Sequence, residues 1–156
     1  VQTCALPISI APYRIKIVGR TSASINIFGE ELMVGNTDQA LYDTCVQYGA
    51  VVSEYTVAPK LSQEKDTGVH EWVIEFEQAP ENLASFTTAL DTRLREINSD
   101  YDAKRKSDML LKQLVLHSVP KGTFYTFMKD RGRLGGQAKV PRLSEKREYV
   151  EKLLSL

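Results

Sequence analysis

Neither sign of charge is in excess in this sequence, because 20 lysine and arginine residues balance 20 aspartate and glutamate residues. A balanced chain has no overall field to draw it to nucleic acid or to an anionic membrane. The chain also lacks any apolar run near the ~20 residues that a membrane-spanning helix needs. We therefore expect neither a nucleic-acid partner nor a membrane partner, and local features must indicate the function.

Cysteine and histidine are scarce, with two of each. Cys45 lies in a predicted helix without a partner at suitable spacing, so we interpret it as a small buried apolar residue in a reducing compartment. His70 and His117 fall in predicted strands that a helix separates, and neither has a second metal-binding residue at ligand spacing. The sequence therefore predicts no disulfide and no metal site.

Residues 1–8 read VQTCALPI and carry neither a helix-capping pattern nor a periodic one. They look like a sequencing-library adapter translated in frame, and we set them aside as non-native. The alternative is a natural, poorly ordered N-terminus. If the adapter interpretation holds, residues from Ser9 onward are the end of a longer protein. The 156 residues, 42% of them hydrophobic, fit one globular domain.

Alternating and helical periodicities divide the chain into short elements. Asn36 with Gln39 predicts a capped helix start, and Gly49 predicts the end of that helix. Pro80 precedes an amphipathic helix, and Ser144 is expected to cap the last one. The predicted strands cover residues 13–18, 25–27, 51–57, 70–76 and 114–118, and the predicted helices cover 37–48, about 83–97, about 103–109, 123–129 and a segment after 144.

From Ile25 to His117 the order is strand, helix, strand, strand, helix, strand. This order is typical of an α+β fold of the ferredoxin-like split βαβ plait type, an antiparallel sheet with helices on one face. The loop and helix beyond it are a C-terminal addition. A fold of this kind does not by itself indicate an activity.

Tyr55, Trp72 and Phe76 raise the question of a base-stacking sheet, as in plait-type RNA-binding domains. Glutamates at positions 71, 75 and 77 make the neighbouring sheet face acidic, which disfavours a phosphate backbone. We predict that the aromatic residues belong to the core.

Two charge clusters also admit a structural interpretation. Glu30 and Glu31 are adjacent, so on a strand they point to opposite faces and do not converge on one proton. The basic run at residues 104–106 is interpreted as a solvated helix face rather than a ligand site.

Lys139 lies in the run LGGQAKVPR at residues 134–142. Two glycines allow close approach to a ligand, and Pro141 disfavours helix at Val140. A lysine on such a loop is either a phosphate ligand or a solvated surface residue, and the loop alone does not decide between them.

Three motifs together carry a resemblance to a known family. They are VGRT at 18–21 followed by INIFGEELM at 25–33, NSDYDAKR at 98–105, and GGQAKVPR at 135–142. In this order and spacing they resemble the carboxy-terminal part of the auxin-responsive acyl acid amido synthetase family, in its bacterial version. The resemblance covers the chain from about Tyr13 to the end.

The resemblance implies an adenylate-forming ligase in which this part is a mobile lid over a larger N-terminal domain. Lys139 matches the family lysine that points into the site during adenylation, with Gly136 and Gln137 beside it. Arg20 is expected near the nucleotide, unless it is only a strand-end surface residue. Thr21 and Ser22 stand at the hinge, where many relatives carry a lysine or an aspartate. Like Arg20, Gly136 and Gln137, they are expected to contribute to cofactor binding.

On this resemblance, residues 9–21 are the last strand of the N-terminal domain and the hinge, and residues 22–156 are the lid. The implied cofactors are ATP and Mg²⁺, both held mainly by the N-terminal domain in cis. The substrates are a small carboxylic acid and an amine or amino acid, in the cytoplasm. The alternatives are the lid of an acyl-CoA ligase and a free-standing ferredoxin-like binding or regulatory module. The chain alone is expected to be inactive.

Overall fold

The computed structural model describes residues 3–10 and 13–20 by their backbone, and residues 24–62, 67–106, 110–132 and 139–156 with their side chains. The elements are β1 (Thr3–Ile10), β2 (Tyr13–Arg20), β3 (Ser24–Ile25), β4 (Leu32–Met33), α1 (Val34–Tyr48), β5 (Val51–Leu61), β6 (Gly68–Gln78), α2 (Leu83–Ile97), α3 (Ser99–Arg105), β7 (Val115–Val119), α4 (Thr123–Asp130) and α5 (Glu148–Leu153). The predicted α+β class is confirmed. Within the described residues, every helix is too short or too polar to span a lipid bilayer.

The central sheet has the strand order β5-β6-β7. Strands β5 and β6 form the predicted antiparallel hairpin, which their alternating apolar and β-branched residues favour. β7 returns through α2 and α3 to lie parallel to β6, so the sheet is mixed rather than wholly antiparallel.

The first strand of the predicted plait does not join this sheet. Ser24 and Ile25 pair instead with Met33 and Leu32 in a separate two-stranded sheet. A tight turn interrupts the strand after Ile25, because the Glu30 carboxylate accepts a hydrogen bond from the Phe28 backbone at 2.7 Å. Two residues are too few to extend along β6.

The main core lies on one face of the central sheet. Trp72, Ile74 and Phe76 alternate along β6 and pack against α1 and α2, and the ring of Tyr55 stacks on Trp72 with 5.5 Å between ring centroids. Trp72 is fully buried, and Tyr55 and Phe76 are each 4% exposed. The prediction that these aromatic residues belong to the core is therefore confirmed.

A second core lies on the opposite face of the sheet, where Val73 and Ala58 contact α4 and α5. Phe124 and Phe127 of α4 and Val150 and Leu153 of α5 are buried there. Helices thus cover both faces of the sheet, where the sequence indicated one. The C-terminal addition is part of the fold, because its apolar residues complete a core.

Two helices begin earlier in the chain than predicted. α1 begins at Val34, and Asn36 lies inside it, where its side chain accepts a hydrogen bond from the Met33 backbone at 3.0 Å. Asn98 starts α3 directly, by accepting hydrogen bonds from the backbones of Asp100 and Tyr101. The sequence indicated a cap at Asn36 but placed the helix start after it, and it did not indicate the cap at Asn98.

The structure confirms the predicted end of the first helix but not the predicted start of the last one. Gly49 ends α1 with a φ of 62°, as the sequence indicated, since a left-handed residue there favours glycine. Ser144 does not cap α5, which begins at Glu148. The Ser144 hydroxyl instead accepts a hydrogen bond from the Lys146 backbone in a local turn.

Candidate functional site

Lys139 is exposed and is the first residue of the described segment 139–156. The next residue, Val140, is only 8% exposed and packs in the second core with Phe124 and Phe127. A buried valine directly after an exposed lysine fixes the backbone from which the ammonium group projects. The backbone of Lys139 therefore has a defined position, although the side chain lies in solvent.

The segment after Val140 is held along β5 like a short additional strand. The Val57 backbone donates to the Arg142 carbonyl at 2.8 Å and accepts from the Ser144 backbone at 3.1 Å. The Thr56 hydroxyl donates to the Pro141 carbonyl at 2.7 Å. These bonds satisfy part of the open edge of β5. We call residues 139–144 the anchored segment.

Arg142 fastens the outer side of the anchored segment. Its guanidinium lies over the ring of Tyr55, 5.2 Å from the centroid, and forms an ion pair with the Asp38 carboxylate of α1. The Tyr55 hydroxyl donates to Asp38 at 2.6 Å and lies 2.9 Å from the Thr37 hydroxyl. One cation thus connects the anchored segment to both α1 and β5.

The surroundings of Tyr55 and of Arg142 raise the pKa of both groups. Burial and the hydrogen bond to Asp38 raise the pKa of Tyr55, so its hydroxyl stays protonated and donates. Partial burial opposes the charge of Arg142, but the Asp38 carboxylate outweighs it and raises the pKa of the guanidinium.

An apolar groove of about 680 Å³ lies between α1 and β5, and Asp38 and Arg142 are among the residues that line it. Tyr42 and Val46 of α1 lie along it and are 66% and 67% exposed. The groove places exposed apolar surface beside the residues that hold the anchored segment.

The other predicted site residues are described less completely or not at all. Arg20 is the last residue of β2, where its backbone pairs with Thr3. Thr21, Ser22, Gly136 and Gln137 lie outside the described residues. Whether they meet Lys139 therefore stays a prediction. β1 includes residues 3–8, which we set aside, and their non-native origin also stays a prediction.

Both imidazoles have carboxylate partners. His70 and Glu30 are fully buried, with 2.9 Å between Nε2 and Oε1. Burial alone would raise the pKa of Glu30, but hydrogen bonds from His70 and from the backbone outweigh it and lower the pKa. Glu31 is exposed, so the two glutamates do not converge, although both precede β4 rather than lying on a strand, and a structural role for Glu30 stays a prediction. No cluster of three or more metal-binding side chains occurs within the described part of the chain.

The second sheet face is not the open acidic surface that the sequence indicated. Glu71 is 2% exposed and contacts Arg147, His117 and Lys60. These partners outweigh the effect of burial and lower the pKa of Glu71. Its charge is therefore compensated, and it holds the start of α5 against the sheet.

Glu75 on the same face holds the start of α4. Its two carboxylate oxygens accept hydrogen bonds from the Gly122 and Phe124 backbones, each at 3.0 Å. A carboxylate is favourable there, because the first amides of a helix lack partners within it.

The basic run at residues 104–106 is also not a uniform solvated face. Arg105 is buried and pairs with Asp91 of α2 at 2.8 Å. Tyr101 donates to the same carboxylate at 2.7 Å. Sequence reasoning missed this pair, and the only available signal was an aspartate at an apolar-face position of α2, next to Leu90 and Leu94.

The geometry defines an α+β domain with one exposed lysine on a segment held by backbone and side-chain bonds. Residues 35–148 match the family model described as the GH3 family C-terminal domain. The match covers well over half of the chain, which therefore belongs to the GH3 family through its C-terminal domain. The predicted family is confirmed, while a bacterial origin stays a prediction.

Solved structures agree on the fold. A structure titled "GH3.15 acyl acid amido synthetase" superposes with a TM-score of 0.72 at 17% identity, over 98% of this chain and 29% of that chain. "AtGH3.15 acyl acid amido synthetase in complex with 2,4-DB" gives a TM-score of 0.72 at 16% identity, over 99% and 29%. This chain thus spans less than a third of those proteins. No curated protein matches it in sequence.

Proposed function

We propose that this chain is the lid domain of an adenylate-forming ligase that joins a carboxylic acid to an amine or amino acid. The observation that carries the proposal is the placement of Lys139, exposed at the start of a segment that β5 anchors. Membership of the GH3 family supports it. A lid domain needs one cation on a backbone segment of defined position, and the larger domain then surrounds that cation.

The proposed reaction has two steps. A carboxylate oxygen attacks the α-phosphorus of ATP, and the bond to pyrophosphate breaks, giving an acyl adenylate. The amine nitrogen then attacks the acyl carbon, the bond to AMP breaks, and the amine loses a proton. Negative charge builds on the phosphate oxygens in the first step, where a desolvated ammonium stabilises the transition state more than the ground state.

Lys139 is the proposed source of that ammonium in the first step. The lid then turns about residues 21 and 22, which carries Lys139 away before the amine attacks. Arg20, Gly136 and Gln137 are proposed to lie near the nucleotide in the closed state. The hinge hydroxyls of Thr21 and Ser22 are compatible with rotation, because a hinge needs only a few residues that absorb backbone change.

One lysine and a shallow groove do not enclose a nucleotide, since ligand sites bury most of the ligand surface. The proposal therefore requires an N-terminal domain in cis to hold ATP and the acid, with residues 9–21 as its last strand and hinge. Mg²⁺ would arrive on the phosphates and be held there and by that domain. We propose a cytoplasmic location, because the reaction consumes ATP and Cys45 is a free thiol.

The test uses the full-length protein, ATP and a panel of small carboxylic acids. Pyrophosphate exchange that depends on one acid identifies the activation step. Amide formation with added amino acids, and none of the thioester with added CoA, is the expected second step. Thioester formation without amide would identify an acyl-CoA ligase instead. Absence of exchange, with tight ligand binding by the 156-residue chain alone, would favour a binding module.

A further inference from the structure

We propose that Asp38, Tyr55 and Arg142 form a clamp that positions Lys139 for adenylation, with Arg142 as its central positioning residue. None of the three needs to touch the substrate. The inference rests on the proposed function, because it assigns a role in the same reaction. It concerns how the backbone that carries Lys139 is held, rather than the ammonium group of Lys139.

The first step of the argument is that the anchored segment has few bonds of its own. Backbone bonds join it to β5 only through Val57, at Arg142 and Ser144. Both lie C-terminal to Val140, and the Thr56 hydroxyl adds one bond at Pro141. A short edge strand with two backbone bonds opens readily unless side chains hold it.

The second step is that Arg142 supplies such a contact on the solvent side. Val140 is buried in the second core and Leu143 in the main core, so two apolar side chains hold the segment. The side chain of Arg142 is 49% exposed and connects to Asp38 on α1 and to the face of Tyr55 on β5. The Tyr55 hydroxyl fixes Asp38 in turn. The segment is thus held from both sides three residues after Lys139.

The third step concerns how much positioning matters. A displacement of about 1 Å at a reacting centre costs roughly 100-fold in rate. Loosening the clamp moves the backbone that carries Lys139 but leaves the charge of Lys139 in place. The adenylation rate should therefore fall by about 10-fold, which is a smaller loss than removal of Lys139 itself would cause. Conjugation from preformed adenylate does not use the closed position and should be unchanged.

The experiment compares Arg142→Ala with wild type in the full-length enzyme. We expect pyrophosphate exchange to fall about 10-fold through kcat, with little change in the KM for ATP. In a Lys139→Ala background the same substitution should add almost nothing, because the two residues act as one unit. Arg142→Lys retains the ion pair with Asp38 and should restore part of the rate.

Arg95→Ala is the matched control. Arg95 forms an exposed ion pair with Asp102 and is 40% exposed, against 49% for Arg142, but it lies on α2. It should leave both half-reactions unchanged. Equal losses in adenylation and conjugation for Arg142→Ala, or full additivity with Lys139→Ala, would overturn the proposal.

Amide hydrogen exchange provides a readout that does not depend on activity. Arg142→Ala should speed exchange at the Ser144 and Val57 amides about fivefold, and leave exchange in α2 unchanged. Unchanged exchange at both amides would refute the clamp. If exchange rises but wild type activates no carboxylic acid, the proposed function fails and the contacts of Arg142 only stabilise the anchored segment.

Discussion

Replacement of Asp91 by alanine should strongly destabilise the domain, because it removes one member of a buried ion pair. Asp91 and Arg105 are 6% and 7% exposed in their side chains. The Asp91 carboxylate accepts hydrogen bonds from Nε and Nη2 of Arg105, from the Tyr101 hydroxyl and from the Leu114 backbone. It thereby connects α2, α3 and the entry to β7.

The magnitude follows from what the substitution leaves behind. Removing one member of a buried ion pair typically costs about 3–5 kcal/mol, because the other charge stays buried without compensation. The Tyr101 hydroxyl, whose pKa burial and Asp91 raise well above its ordinary value, also loses its acceptor. For a domain of this size, 3–5 kcal/mol lowers the Tm by roughly 6–20 °C.

Asp102 offers a matched control on α3. It pairs with Arg95 at 2.7 Å, but the two side chains are 32% and 40% exposed. An exposed ion pair contributes about 0–1 kcal/mol, so Asp102→Ala should shift the Tm by a few degrees at most. Urea unfolding followed by circular dichroism measures both variants. Similar losses for the two variants would refute the claim that burial determines the value of these pairs.

Three further outcomes follow from the structure. Gly49→Ala should cost about 1–2 kcal/mol because its φ of 62° is left-handed. Gly35→Ala, where an added Cβ meets nothing within 4 Å, should stabilise α1 by about 0.5–1 kcal/mol in the same unfolding assay. The pKa of Glu30 is below its ordinary value of 4.5, so its contribution to stability is full above that value and is lost as the pH falls through the lowered pKa. Glu30→Gln should therefore reduce the slope of stability against pH in that acidic range, and an unchanged slope would count against the buried pair with His70.

Local features of the sequence were sufficient to predict most of the elements. The β5–β6 hairpin follows from alternation, α2 from its apolar periodicity after Pro80, and the end of α1 from Gly49. These signals act within one or two turns of chain, so they can be read without knowing the fold.

Contacts between distant residues could not be predicted in the same way. Arg105 was grouped with its basic neighbours, because its partner Asp91 lies on another helix. Glu71 was assigned to an open acidic face, because Arg147 lies 76 residues further along the chain. Charge patterns describe neighbours in sequence, whereas burial of a charge depends on partners that only the fold brings near.

In the candidate site, too, local features could be predicted from the sequence and contacts between distant residues could not. The glycines and Pro141 predicted a loop that carries Lys139 either as a phosphate ligand or as a solvated residue, and the structure shows only that Lys139 is exposed. The anchoring of its segment was not predicted, because Thr56 and Pro141 are 85 residues apart. Its role in adenylation stays a prediction that rests on the resemblance.

The central claim is that Lys139 acts in adenylation and not in conjugation. The measurement that tests it most directly compares Lys139→Ala with wild type in both half-reactions of the full-length enzyme, with the exposed Lys146→Ala as control. We expect pyrophosphate exchange to fall by about 100-fold or more, while conjugation from preformed acyl adenylate stays within about twofold. Equal losses in the two half-reactions, or the same losses in Lys146→Ala, would contradict the account.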